Sequence, residues 1–162
     1  MYGEKLGEMA WMDLSVADAE VVSHFYQSVL GWHSEPISMT LGDEKYHDFV
    51  MSSATEPNVF SQASRVSEEY TNQGTEENIP SPSALSSTPK SLVTGICHAR
   101  GENQDMPAVW LPYFLVKDLD ESADKVVGNG GSLVTKVKNV GADRYLVIKD
   151  PAGAMAAIYQ KA

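Results

Sequence analysis

The stretch Trp11–Trp32, W-M-D-L-S-V-A-D-A-E-V-V-S-H-F-Y-Q-S-V-L-G-W, decides the fold. Its first six residues mix apolar and polar side chains with the alternation of a half-buried strand. Asp18 follows where a side-chain oxygen caps the first amides of a helix. Val21, Val22, Phe25, Tyr26, Val29 and Leu30 then recur at three- and four-residue spacing and form one apolar stripe. Gly31 ends the helix, because glycine adopts the left-handed conformation of a C-terminal stop at little cost. Strand, capped helix and glycine stop make a module.

The same order returns one hundred residues later. Val116-Lys117-Asp118 matches Val16-Ala17-Asp18, Phe114 matches Leu14, and Gly131 matches Gly31. Between these, Leu119–Asn129 reads as a helix with Ala123, Val126 and Val127 on its apolar side. Strands are expected after each helix: Trp32–Met39, Tyr46–Met51 and Leu92–His98 in the first half, Ser132–Val140, Arg144–Lys149 and Ala154–Gln160 in the second. Each half thus reads strand, helix, strand, strand, strand. Neither covers its own sheet face, so the two are expected to pair.

This is an α+β reading of a single domain, 1–162, with module one at 8–100 and module two at 108–161. Residues 53–90, between the third and fourth strands, are rich in Ser, Thr, Pro, Asn, Gln and Glu and read as a long insertion, with one short helix expected at Phe60–Tyr70. A lid, an arm to a second subunit and a tolerated surface loop are all open readings of it.

Composition narrows the function classes. Apolar residues make up 43% of the 162 and charged residues 21%, as in an ordinary globular domain. The 22 acidic and 12 basic residues give a net charge of −10. Such a chain repels nucleic-acid phosphates and anionic membrane surfaces, and neither is an expected partner. Cys97 is the only cysteine, which precludes an intramolecular disulfide and fits a reducing, cytoplasmic setting. No apolar run reaches the ~20 residues of a membrane helix, and the first residues lack the pattern of a secretory signal.

Taken together, Val16-x-Asp18, Phe25-Tyr26, Leu30-Gly31-Trp32, Asp118-Leu119-Asp120, Gly130-Gly131 and Asp150-Pro151-Ala152-Gly153 resemble the vicinal oxygen chelate superfamily of glyoxalase I, extradiol dioxygenases and bleomycin-resistance proteins. Gly95-Ile96-Cys97-His98-Ala99-Arg100-Gly101, followed by Pro107, Trp110 and Tyr113, is similar to a glyoxalase-like branch of poorly defined function. The resemblance covers both modules and leaves the insertion outside. It implies two βαβββ modules paired into a curled mixed sheet around a central cavity, and a homodimer as the expected assembly.

The resemblance also implies four places for metal ligands, and here they fall on Trp11, Leu111, roughly His98, and Ala157. Of these only His98 can bind a metal, whereas catalytic zinc usually has three protein ligands. Neither a metal nor another cofactor is therefore expected. Strand alternation outward from these places gives a ligand-binding set of Trp11, Leu111, Tyr113, Leu115, Met155, Ala157 and Tyr159, joined by Thr94 and Ile96 if the more polar side of the fourth strand faces inward. His98 and Asp13 are the catalytic candidates, with Tyr113 and Asp13 within mutual hydrogen-bonding reach. Trp11 can either wall an open cavity or plug it.

The expected function is a small-molecule-binding protein of glyoxalase or bleomycin-resistance type that holds an apolar or aromatic organic ligand without the family metal. The alternative is a glyoxalase-like enzyme of lyase, isomerase or dioxygenase type, with His98 or Asp13 transferring a proton. A partner-binding role for the insertion is a third reading. No Gly-rich phosphate loop and no Ser-His-Asp set points elsewhere.

Overall fold

The computed structural model describes residues 3–53 and 93–162. The insertion and the helix expected inside it lie outside these bounds. Module one runs β1 (Met9–Val16), α1 (Ala19–Leu30), β2 (His33–Leu41), β3 (Glu44–Ser52) and β4 (Val93–His98). A 3-10 turn at Gly101–Asn103 leads to module two: β5 (Trp110–Leu115), α2 (Leu119–Gly128), β6 (Ser132–Leu133), β7 (Lys138–Val140), β8 (Asp143–Lys149) and β9 (Met155–Gln160).

The strands form one mixed sheet in the order β2-β3-β4-β1-β5-β9-β8-β6, with β7 also paired to β8. Within each module the first strand runs parallel to the last, β1 to β4 and β5 to β9. Between modules β1 and β5 pair antiparallel, Trp11 opposite Tyr113 and Asp13 opposite Leu111. The halves are therefore joined edge to edge within one chain, and neither first strand is left as an open edge.

Both helices start and stop as their end residues dictate. Asp18 Oδ1 accepts the Val21 N–H at 3.0 Å, and Asp118 Oδ1 accepts the Glu121 N–H at 2.9 Å. Gly31, at φ 66°, is left-handed and donates back to the Gln27 carbonyl.

One sheet face carries the helices. Under α1, Ala19 packs on Met51 and Ile96, with Tyr26, Trp32 and Trp110 alongside. Under α2, Leu119 packs on Leu146 and Ile158. Leu111, Tyr113, Tyr145, Val147 and Ala157 form a separate cluster with Met106 on the opposite face, and Trp11 rests against it.

Two expectations change. The strand foreseen over Ser132–Val140 divides into β6 and β7. Between them the Thr135 hydroxyl, not a backbone carbonyl, accepts the Val147 N–H at 3.0 Å, so the ladder is broken there by a side chain. The apolar stripe of α1 is also wider than its buried face. Val22 and Tyr26 meet the sheet, whereas Val21, Phe25 and Val29 are 63%, 56% and 58% exposed. Residues 21 and 22 differ by about 100° around a helix, and the small Ala19 and Ser23 set which row approaches the sheet.

Candidate functional site

A cavity of about 420 Å³ opens on the helix-free face, where the modules meet. Asp13, in the middle of β1, lies between Gly95 on β4 and Leu111 on β5. Gly95 permits the crowding: a Cβ there would come within 3.3 Å of Asp13 Cβ and 3.7 Å of Trp11 Cζ2. Its missing side chain lets the Trp11 ring lie against β4, and together Trp11, Tyr113, Tyr145 and Tyr159 give the cavity aromatic walls. The rings of Tyr113 and Tyr145 meet edge to face at 5.3 Å.

Asp13 is the polar centre. Burial pushes its carboxyl up to about 6, against the opposing effect of hydrogen bonds from the Tyr113 hydroxyl and the Trp11 indole; Asp48 raises it further. One oxygen, Oδ1, is buried and has no hydrogen-bond partner among the described residues. Burial, then the Asp13 charge, pushes the Tyr113 and Tyr145 hydroxyls up, and burial with Asp13 and Asp48 does the same to the Cys97 thiol. Cys97 lines the cavity as an un-ionised thiol and is a poor nucleophile.

The expected residues fall into three groups. Trp11, Asp13, Tyr113 and Tyr159 line the cavity. Leu111, Met155 and Ala157 form or pack against the cluster on the same face, and Leu115 is buried further along the same side of β5. Thr94, Ile96 and His98 do not join them. Ile96 is packed beneath α1, and the Thr94 hydroxyl donates to the Met12 carbonyl. The register Asp13 opposite Gly95 and Ser15 opposite Cys97 turns the other set of β4 residues toward the cavity.

His98 instead closes the start of α1. Its Nε2 accepts the Ala19 N–H at 3.3 Å, which assigns the ring proton to Nδ1, 3.3 Å from Asp48 Oδ1. Module two repeats the device with another residue type, for Gln160 Oε1 accepts the Leu119 N–H at 2.7 Å. His98→Ala and Gln160→Ala are each expected to cost ~1 kcal/mol in urea unfolding, and His98→Gln to restore most of the first loss. A loss in only one module would sink the equivalence.

Sequence reasoning missed Asp48, Cys97 and Tyr145 as cavity residues. One signal was available. The repeat aligns Ile96 with Ile158 and Gly95 with Ala157, so an inward Ala157 implies an inward Gly95.

A family metal does not fit. The four expected ligand places hold Trp11, Leu111, Ala157 and, on β4, a His98 whose two ring nitrogens are engaged. The orphaned Asp13 Oδ1 could serve as one donor, but among the described residues no three His, Cys, Asp or Glu side chains converge. Nor is any described helix long and apolar enough to cross a membrane.

Residues 8–158 match the model for the Glyoxalase/Bleomycin resistance protein/Dioxygenase superfamily. The chain is 26% identical over 155 residues to the candidate glyoxylase CFP32 of Mycobacterium tuberculosis (strain CDC 1551 / Oshkosh), covering 95% of this chain and 46% of the relative. It is 26% identical over 156 residues to the anthracycline biosynthesis protein DnrV of Streptomyces peucetius, covering 96% of this chain and 47% of the relative. The chain thus spans about half the length of these curated relatives. Among solved structures, a superfamily member from Vibrio splendidus 12B01 aligns over 93% of this chain and 97% of its own, with a TM-score of 0.43 and 13% identity. Methylmalonyl-CoA epimerase from Mycobacterium tuberculosis aligns over 100% and 93%, with a TM-score of 0.43 and 15% identity.

Proposed function

Because the chain belongs to the Glyoxalase/Bleomycin resistance protein/Dioxygenase superfamily but no metal-ligand set converges among its described residues, we propose that it binds a small aromatic organic molecule without a metal. The observation that carries this reading is the cavity itself. Its volume suits a compact organic ligand, its walls are Trp and Tyr rings, and the Asp13 side chain adds a carboxyl group to its lining. An aromatic contact contributes ~0.5–1.5 kcal/mol beyond area burial, so these rings favour a flat ligand over a chain-like one.

Thermal melts against a panel of mono- and bicyclic aromatics test the proposal. A ligand at about one hundred times its Kd adds ~2.7 kcal/mol, expected to raise Tm by roughly 5–10 °C. Metal analysis of the purified protein should give well under one equivalent, and a chelator should leave Tm and binding unchanged. A full equivalent of tightly bound zinc, nickel or iron refutes the reading.

A second reading, a proton-transferring enzyme, rests on the same carboxylate. Asp13, held near 6, is suited to exchange a proton close to neutral pH, with Tyr113 beside it as a donor. His98 has no part in this version, since both its nitrogens are committed to the fold. Turnover of any substrate found for the protein should then vanish in Asp13→Asn and survive in His98→Gln.

A further inference from the structure

We propose that Asp13 is the positioning residue of the cavity, its carboxyl locking the Trp11 and Tyr113 rings, one from each module, in the arrangement that receives the ligand. The inference rests on the binding reading above and concerns how that site is held ready.

Three observations lead to it. First, one carboxyl serves two walls. The Tyr113 hydroxyl and the Trp11 indole both hydrogen-bond to Asp13. Trp11 stands two residues before Asp13 on β1 and so on the same face, and Tyr113 is opposite Trp11 on β5. The two bonds therefore cross the seam between the modules. The polar ends of the other two rings are tied elsewhere, for the Tyr145 hydroxyl donates to Asn103 Oδ1 at 3.3 Å and the Tyr159 hydroxyl to Asp143.

Second, the rings are coupled. Tyr113 meets Tyr145 edge to face at 5.3 Å and Tyr159 at 6.5 Å, so turning Tyr113 away from Asp13 would disturb both contacts. On the other side, Gly95 gives the Trp11 ring a seat with no side chain to wedge it: a Cβ there would come within 3.7 Å of Trp11 Cζ2. The indole bond to Asp13 fixes the ring on that seat.

Third, the carboxyl acts through the rings. Its Oδ1 is buried, out of a ligand's reach, and has no hydrogen-bond partner among the described residues. A wall that is already fixed need not be ordered when a ligand arrives, and affinity rises by the cost avoided.

A sign for the pH dependence follows. Asp13 is ionised above about 6 and neutral below. Hydrogen bonds to an ionised acceptor are roughly twice as strong as neutral ones, so the lock is tight above this value and loosens below it. The titratable groups around Asp13 are Asp48 from β3, Cys97 from β4, Tyr113 from β5 and Tyr145 from β8, with Tyr159 and Lys161 at the edge. The thiol and the Tyr113, Tyr145 and Tyr159 hydroxyls are all pushed upward and remain donors through this range.

Nitrogen–proton correlation spectra of the full chain test the lock directly, because they report the indole N–H of each tryptophan, and Trp11→Phe identifies the first. The Trp11 signal is expected to shift with pH about a midpoint near 6, and to stop doing so in Asp13→Asn. The Trp110 indole, which donates to the Tyr26 hydroxyl instead, should stay constant. Naphthalene, uncharged at every pH, is expected to bind at least about threefold tighter at pH 8 than at pH 5. At pH 8, Asp13→Asn should bind it as weakly as the unaltered protein does at pH 5. The pH series on the unaltered protein gives the answer even if the variant misfolds. A Trp11 signal indifferent to pH, or equal naphthalene affinities at both values, overturns the lock while leaving an aromatic cavity. A titrating Trp11 signal with no naphthalene bound at either pH upholds the hold on the rings and overturns the aromatic ligand.

Discussion

Asp13→Asn is expected to stabilise the protein by about 2–3 kcal/mol above pH 7, an unusual direction for a substitution in a buried site. The carboxyl is raised from 3.8 unfolded to about 6 folded, with burial as the largest cause. Below about 3.8 it is neutral in both states and its full contribution to stability is present. As pH rises through about 6 the folded protein must carry a charge that it poorly solvates, and that contribution is lost. A difference of about two units corresponds to roughly 3 kcal/mol. Asparagine resembles the neutral form at every pH. Urea unfolding of the two proteins should therefore show a gap that is small near pH 4 and grows to its full size above pH 7. Asp120 and Asp143, whose carboxyls are held low by Arg144 and by Tyr159, contribute with the opposite sign in both proteins and cancel in the comparison. A gap independent of pH would show that Asp13 is not desolvated as described.

Trp110→Ala is expected to cost about 3–5 kcal/mol, because one side chain fastens the second module to the helix of the first. Trp110 opens β5, yet its indole N–H donates to the Tyr26 hydroxyl on α1 at 2.8 Å. Its ring meets Tyr26 edge to face at 5.2 Å and Trp32 at 6.0 Å. Truncation removes apolar area, two ring contacts and a hydrogen bond, and leaves the Tyr26 hydroxyl without its donor. Trp110→Phe keeps a ring and loses the donor, so ~1–2 kcal/mol is expected. Urea midpoints measured with fluorescence from the remaining tryptophans would check both. If alanine costs no more than phenylalanine, the aromatic cluster does not hold the modules together.

Elements set by neighbouring residues were legible in the sequence. Asp18 and Asp118 announced two helix starts, and Gly31 announced a stop, because capping depends on atoms a few residues apart. The hundred-residue repeat made the pairing of modules an expectation, and β1 beside β5 is its physical form. Where a contact partner lay far along the chain, local pattern fell short. The hydroxyl of Thr135 ended a strand that hydropathy alone would have continued, and the stripe on α1 held two rows of which the sheet accepted one.

The site shows the same division. Trp11, Asp13, Tyr113 and Tyr159 could be placed on one side because strand alternation fixes relative parity within β1, β5 and β9. For β4, alternation offered two sets without choosing between them. Parity is a property of one strand, whereas the face it presents is set by the register against its neighbour, and a shift of one residue exchanges the two. The pairing of Asp13 with Gly95 put Cys97 at the cavity and His98 at the start of α1, where its ring accepts the Ala19 N–H. By itself the sequence determined the α+β fold with its repeated strand-helix order, and the absence of the expected ligand types at Trp11, Leu111 and Ala157. Only the tertiary structure decided which groups share the cavity and that one Asp13 oxygen is buried with no partner among the described residues, because burial and pairing are made by strands far apart in the chain.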